Sequence, residues 1–280
     1  MPSTNQPPYT LTSGVPLGGI GAGAVELGRD GRFRNITINN NRCADTRIPV
    51  SPASLLAVRV ATEEGIYSRI LQLEFTAQKE PTEPARLKSS EYEWRGLYPR
   101  SDFHLTDPHC PASLHWSAMA PIVPYDAQAS SLPALLVRLR LANAQSYPLD
   151  IAVVFNWENL VGLTKARVPA TLAPIVPEEV RPKAETWGVA APPPEETPEG
   201  EAPAAPEKNG LLFGDLAAVR DNADGQYCLA VRPHAGTSSS VLTWDHDHLG
   251  DWRAFWSAFQ MEGVIAGAAL RGQAKKSGAV

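Results

Sequence analysis

The sequence predicts an all-β fold, a large antiparallel β-sandwich, on three observations: a dominant period of two, little helical periodicity, and heavy use of turn residues. Period two is strongest in two runs. Leu135, Val137, Leu139 and Leu141 alternate with Leu136, Arg138 and Arg140. Leu149, Ile151, Val153, Phe155 and Trp157 alternate with Asp150, Ala152, Val154 and Asn156. Successive side chains of a strand face opposite ways, so each set lines one face. Residues 142–148 between them are polar and turn-like, and the two runs are expected to be neighbouring antiparallel strands. Weaker alternation at Leu71, Leu73 and Phe75, at Leu114, Trp116 and Ala118, and at Tyr227, Leu229 and Val231 adds further strands. The 26 prolines and 21 glycines supply turns between short elements.

One helix stands apart, short and rich in aromatics, near the C-terminus. Trp252, Phe255, Trp256 and Phe259 fall at i, i+3, i+4 and i+7, one face of a 3.6-residue period. Asp251 sits where an N-cap belongs and Gly263 where the helix can stop. So aromatic a stripe must be covered, by a sheet face or by one end of the sandwich. Within residues 177–208 the pattern collapses, and 191–207 is almost pure Pro, Glu and Ala. Such a segment buries too little apolar surface to offset its ordering entropy, so it is expected to be a disordered insertion within the domain. Residues 1–280 then form a single domain. The last four residues, Ser277 to Val280, read as the start of a strand, which implies a sandwich still incomplete at its C-terminal end.

With 43% hydrophobic residues the chain can bury a substantial core, and its formal net charge of −5 gives no general attraction for nucleic acid or anionic membranes. Cys43, Cys110 and Cys228 are too few and too scattered for a disulfide framework or a thiolate zinc site. The N-terminus lacks the basic start and apolar run of a signal peptide, and no apolar stretch approaches the ~18 residues of a membrane helix. A soluble, cytoplasmic protein without cofactors is the expectation.

Four motifs carry possible chemistry. Gly18-Gly19-Ile20-Gly21-Ala22-Gly23-Ala24 contains a formal Gly-x-Gly-x-x-Ala, but a dinucleotide site needs a helix N-terminus after it. The next residues carry a hairpin signal instead, Asp30-Gly31 between alternating runs, so the glycines are read as a tight entry loop. Asp245-His246-Asp247-His248 places His246 and His248 on one side of an extended chain but offers no third and fourth ligand, and a solvated loop is the favoured reading. Asn156-Trp157-Glu158-Asn159 ends the best strand. Catalytic carboxylates of a glycosidase sit ~5 Å or ~6.5–9.5 Å apart, and Glu158 has no visible second member, so fixing a loop is its favoured role. Asn35-Ile36-Thr37 is a formal glycosylation sequon without a secretion signal. No catalytic, cofactor-binding or metal residue is assigned.

Five stretches in order give a family resemblance: Gly14-Val15-Pro16-Leu17-Gly18-Gly19-Ile20-Gly21-Ala22-Gly23; Gly96-Leu97-Tyr98-Pro99-Arg100; Ala120-Pro121-Ile122-Val123-Pro124-Tyr125-Asp126 running into Ser130-Ser131-Leu132-Pro133; Phe155-Asn156-Trp157-Glu158-Asn159-Leu160-Val161-Gly162; and Asp251-Trp252-Arg253-Ala254-Phe255-Trp256. Together they resemble the N-terminal domain of glycoside hydrolase family 116, the non-lysosomal glucosylceramidases (bile-acid β-glucosidases) and their bacterial β-glucosidase relatives. The resemblance implies an antiparallel sandwich preceding a catalytic α/α-barrel of the same parent chain. It also implies a retaining mechanism whose two carboxylates lie in that barrel, and a β-glucoside or glucosylceramide substrate. Neither catalytic motif has a counterpart within residues 1–280. The alternative is a free-standing carbohydrate-binding sandwich, which needs displayed aromatics. Only Trp94, Trp187 and Trp244 are not already claimed by helix packing or buried strand faces.

Overall fold

In the computed structural model the described residues are 14–38, 48–51, 53–74, 85–88, 90–158, 160, 210–213, 227–231, 237, 242–244, 249–264 and 277–279. The chain opens with short strands β1 (Gly14–Leu17), β2 (Val25–Gly28), β3 (Phe33–Ile36) and β4 (Ile48–Val50). Longer strands come next: β5 (Leu55–Thr62), β6 (Gly65–Leu73), a two-residue β7 (Arg86–Leu87), β8 (Tyr92–Leu97), β9 (Arg100–Leu105) and β10 (Ala112–Met119). A single-turn helix α1 (Ala127–Ser130) precedes β11 (Leu136–Asn143) and β12 (Asp150–Glu158). The remainder comprises β13 (Gly210–Phe213), β14 (Tyr227–Ala230), β15 (Leu242–Trp244), helix α2 (Leu249–Glu262) and β16 (Ser277–Ala279).

The all-β expectation holds. Three sheets enclose the main core, ordered β1-β2-β3-β4, β11-β10-β9-β8 and β15-β16-β12-β5-β6-β7, with β13 and β14 as a separate pair. Among the described residues every pairing is antiparallel except β6 with β7. Alternation in β10 sends Leu114, Trp116 and Ala118 inward, where they join Phe103 of the neighbouring β9 and meet Phe33, Val58, Val60 and Leu71 from the other sheets. The Phe103 and Trp116 rings stack with centroids 4.1 Å apart, an aromatic cross-strand pair on one pleat face. The Asp30-Gly31 hairpin joins β2 to β3 as read, with Gly28 donating to the Arg32 carbonyl at 2.9 Å.

One sequence expectation fails. β11 and β12 are not partners. β11 pairs with β10 from Met119↔Leu136 to Ala112↔Asn143, whereas β12 lies between β5 and β16 in the other large sheet. Residues 144–149 carry the chain from one sheet to the other. Their turn is fixed by Asn143, whose Nδ2 donates to the Tyr147 carbonyl at 2.7 Å and whose Oδ1 accepts from the Gln145 N–H at 2.8 Å. A polar connection of this length serves a hairpin or a crossing equally well, so the pattern alone selects neither.

Helix α2 behaves as its stripe demands. Phe255, Trp256 and Phe259 are buried against Leu55, Ala57, Ile70 and Val154, which lie on the outer face of β5, β6 and β12. The middle sheet therefore has an apolar layer on each side. Gly263 closes the helix, its N–H reaching the Phe259 carbonyl at 3.0 Å. Asp251 is not the N-cap. The helix begins at Leu249, and Asp251 is a buried member of its first turn, where a carboxylate complements the positive end of the helix dipole. Arg59 ties the helix end to the sheet by donating to the carbonyls of Gln260 and Met261 at 2.7 and 3.1 Å and to Asp150 at 2.7 Å. Phe75, the Asp245–His248 run and the 177–208 segment lie outside the described residues.

Candidate functional site

Three loops meet at one end of the β8–β11 sheet. The last rung of that sheet is Leu136, Met119, Arg100 and Leu97. Beyond it run the Tyr98-Pro99 turn, with its cis peptide bond, and the long connection through α1. The glycine loop between β1 and β2 is stitched to that connection: the Ile20 N–H donates to the Ser130 carbonyl at 2.8 Å. The Ala120 N–H donates to the Pro99 carbonyl at 2.9 Å, which ties the other two loops together.

The residue types are dictated by this packing. A Cβ on Gly19 would stand 2.2 Å from the Leu132 carbonyl oxygen, so only glycine lets the two loops approach. Gly23 adopts φ +88°, and a Cβ there would stand 2.7 Å from the Thr37 carbonyl oxygen. Val25 then starts a strand, not a helix, which removes the geometry a dinucleotide pyrophosphate requires. The sequon residues serve the same loop. Thr37 Oγ1 accepts from the Ala24 N–H at 3.0 Å, and Asn35, at φ 48°, donates to Glu26 at 2.7 Å. In the α1 connection, Asp126 caps the helix by accepting from the Ala129 N–H at 2.9 Å. Ser130 Oγ both accepts from the Val123 N–H and donates to the Val123 carbonyl, at 2.9 Å each.

These rigid loops present apolar side chains to solvent. Ile20, Leu97, Tyr98, Tyr125 and Leu132 are each at least 53% exposed, with Tyr125 fully projecting at 109%. Val123 and Leu136 continue the surface. An apolar and aromatic patch on a rigid frame is the form of a docking surface. Among the described residues it carries no carboxylate pair. Asp126, the acidic group in the α1 connection, is committed to its cap.

The strand-end motif does structural work. Glu158 is buried and accepts from Ser51 Oγ at 2.7 Å, while its N–H donates to Ser54 Oγ at 2.9 Å. Asn156, fully buried, donates to the Ala53 carbonyl at 2.6 Å, and Gln72 donates to the Ser54 carbonyl at 3.0 Å. The loop entering β5 is thus held to β12 and β6, the role that the sequence favours. Asn159 lies outside the described residues.

Another polar cluster has no signal in the sequence because its members are far apart in the chain. Tyr67 donates to Asp107 Oδ2 at 2.9 Å, and Arg69 stands 3.7 Å from that oxygen with its guanidinium 4.7 Å above the Tyr67 ring. Burial first, then the Asp107 hydrogen bond, pushes the Tyr67 phenol far above its ordinary range. Burial also pushes the neighbouring Cys110 thiol up. A phenol that stays protonated and a thiol that stays neutral are poor acid–base and nucleophilic groups. Together they clamp the turn between β9 and β10. Among the described residues no three His, Cys, Asp or Glu side chains are grouped to hold a metal ion, and no helix is long and apolar enough to cross a membrane.

The remaining tryptophans also find places. Trp94 packs on the main core and donates its indole N–H to Ser101 at 2.9 Å; Trp187 lies outside the described residues, and Trp244 stands on β15. Fold and surface define an antiparallel β-sandwich domain with a helix-backed sheet and a rigid apolar end. Residues 14–280 match the family described as beta-glucosidase 2, glycosyl-hydrolase family 116, N-terminal. The chain belongs to that family, as an N-terminal domain of a glycoside hydrolase, which implies a catalytic partner domain.

Proposed function

We propose that this chain is the non-catalytic N-terminal domain of a retaining β-glucosidase or glucosylceramidase, acting on β-glucosides or glucosylceramide through a catalytic α/α-barrel. Its role is to hold and brace that barrel. Residues 1–280 are read as one domain with an insertion at 177–208, residing in the cytoplasm. The observation that carries the docking role is that loops from three stretches of the family resemblance, Gly14–Gly23, Gly96–Arg100 and Ala120–Asp126 with Ser130–Pro133, converge on one exposed apolar end. Burying such a patch contributes roughly 25 cal/mol per Å² of apolar surface removed from water. The carbohydrate-binding alternative gains little support, because Trp94, Trp116 and Trp157 all pack on the core.

The test joins the chain to a separately produced barrel domain of the same family and reads complex formation by sedimentation. Leu97→Asp and Leu132→Asp are expected to abolish the complex while leaving the chain's own melting temperature within error. A complex that forms unchanged with both variants would remove the apolar end as the docking surface.

A further inference from the structure

We propose that the free edge of β11 is a second docking site, which takes an extended acidic segment of a partner protein as an added antiparallel strand. Backbone and side chains both carry it. β11 pairs with β10 over its whole length, Leu136 to Asn143, in unbroken register, and stands at the end of its sheet. Its outer backbone groups make no further hydrogen bond among the described residues.

Sheet edges are normally blunted by shortness, bulges or proline. The edges of the other large sheet obey that rule: β7 has two residues and β15 has three. β11, with eight residues, no bulge and no internal proline, does not. Its two faces add the specificity. On the inner face Val137 and Leu139 are only half-buried against the core and Leu141 is 37% exposed, so apolar groups of an added strand would complete their cover. On the outer face Arg138 and Arg140 are exposed and have no ion-pair partner among the described residues. The nearest outer-face carboxylate, Asp102, is already taken by Arg100 at 2.6 Å and His115 at 3.3 Å.

The arginines also act against a second copy of this chain. Antiparallel pairing of two β11 strands centred on Leu139 sets Arg138 opposite the other copy's Arg140, and like charges directly opposite are destabilising. An incoming strand with Asp or Glu on one face and aliphatic residues on the other satisfies backbone, charge and apolar cover together.

The test titrates the 280-residue chain with a synthetic peptide of alternating Glu and Val, and with its Lys and Val counterpart, monitored by hydrogen exchange and fluorescence anisotropy. The Glu peptide is expected to bind and to slow exchange within residues 136–143. Arg138→Glu with Arg140→Glu should weaken the Glu peptide about tenfold or more and shift preference to the Lys peptide. Arg138→Gln with Arg140→Gln should erase the preference without reversing it, which separates charge from any folding defect. Equal binding of the two peptides, or protection away from β11, would overturn the proposal. Protection that grows with protein concentration in the absence of peptide would overturn it in favour of a second copy.

Discussion

β11 and β12 look alike in sequence and differ in almost everything else. Both alternate over eight or nine residues, yet β11 is a half-exposed edge and β12 is flanked on both sides and covered on both faces. The difference resides in the off-face residues. β11 places Arg138 and Arg140 there and meets water. β12 places Ala152, Val154 and Asn156 there and meets helix α2 and the loop of Ala53. The set in phase with the period reports that a strand exists; the set out of phase reports what covers its second face.

The largest effect is expected at Val154, which is 1% exposed beneath α2. Val154→Lys places an unpaired charge between two apolar layers and is expected to cost about 4 kcal/mol or more, enough to abolish a cooperative melt. Phe255→Ala attacks the same layer from the helix and should cost about 3–5 kcal/mol in urea denaturation, through the cavity it leaves. If either variant melts like the parent, α2 does not cover the sheet in solution.

Smaller effects sharpen the picture. Glu158→Ala removes the acceptor on β12 and leaves the Ser51 hydroxyl its Ser54 partner, so the loop loosens and a loss of about 1–3 kcal/mol is expected. Tyr67 sets an alkaline limit. Its phenol titrates higher in the folded state than in the unfolded chain, so its contribution is intact below about pH 10 and is lost as pH rises beyond that. Tyr67→Phe should remove this alkaline loss while costing about 1–3 kcal/mol at neutral pH, because Asp107 loses a donor. Arg138→Ala on β11 should change stability by about 0.5 kcal/mol or less. A loss at Arg138 as large as that at Val154 would mean β11 is covered.

Much of this fold is legible in the sequence. The strand faces, the Asp30-Gly31 hairpin, the aromatic stripe of α2 and the loop-fixing role of Glu158 all come from local period and residue type. Pairing does not. Nothing in residues 142–148 distinguishes a hairpin from a crossing between sheets, and the partner of β11 lies upstream in β10. Asp251 misleads because a carboxylate favours both the cap and the first turn. The candidate site is half legible. The glycine loop and the tyrosine-bearing turns stand out separately, but only the hydrogen bonds from Ile20 to Ser130 and from Ala120 to Pro99 bring them to one end. The Tyr67–Asp107 clamp joins residues forty positions apart and leaves no local signal.

The proposed division of labour, with bracing in this chain and chemistry in its partner domain, is most directly tested by turnover. The purified 280-residue chain is incubated with an aryl β-glucoside and with glucosylceramide, and release of product is measured against a blank. No hydrolysis above the blank is expected. Turnover that is abolished by one Asp or Glu substitution within this chain would contradict the division.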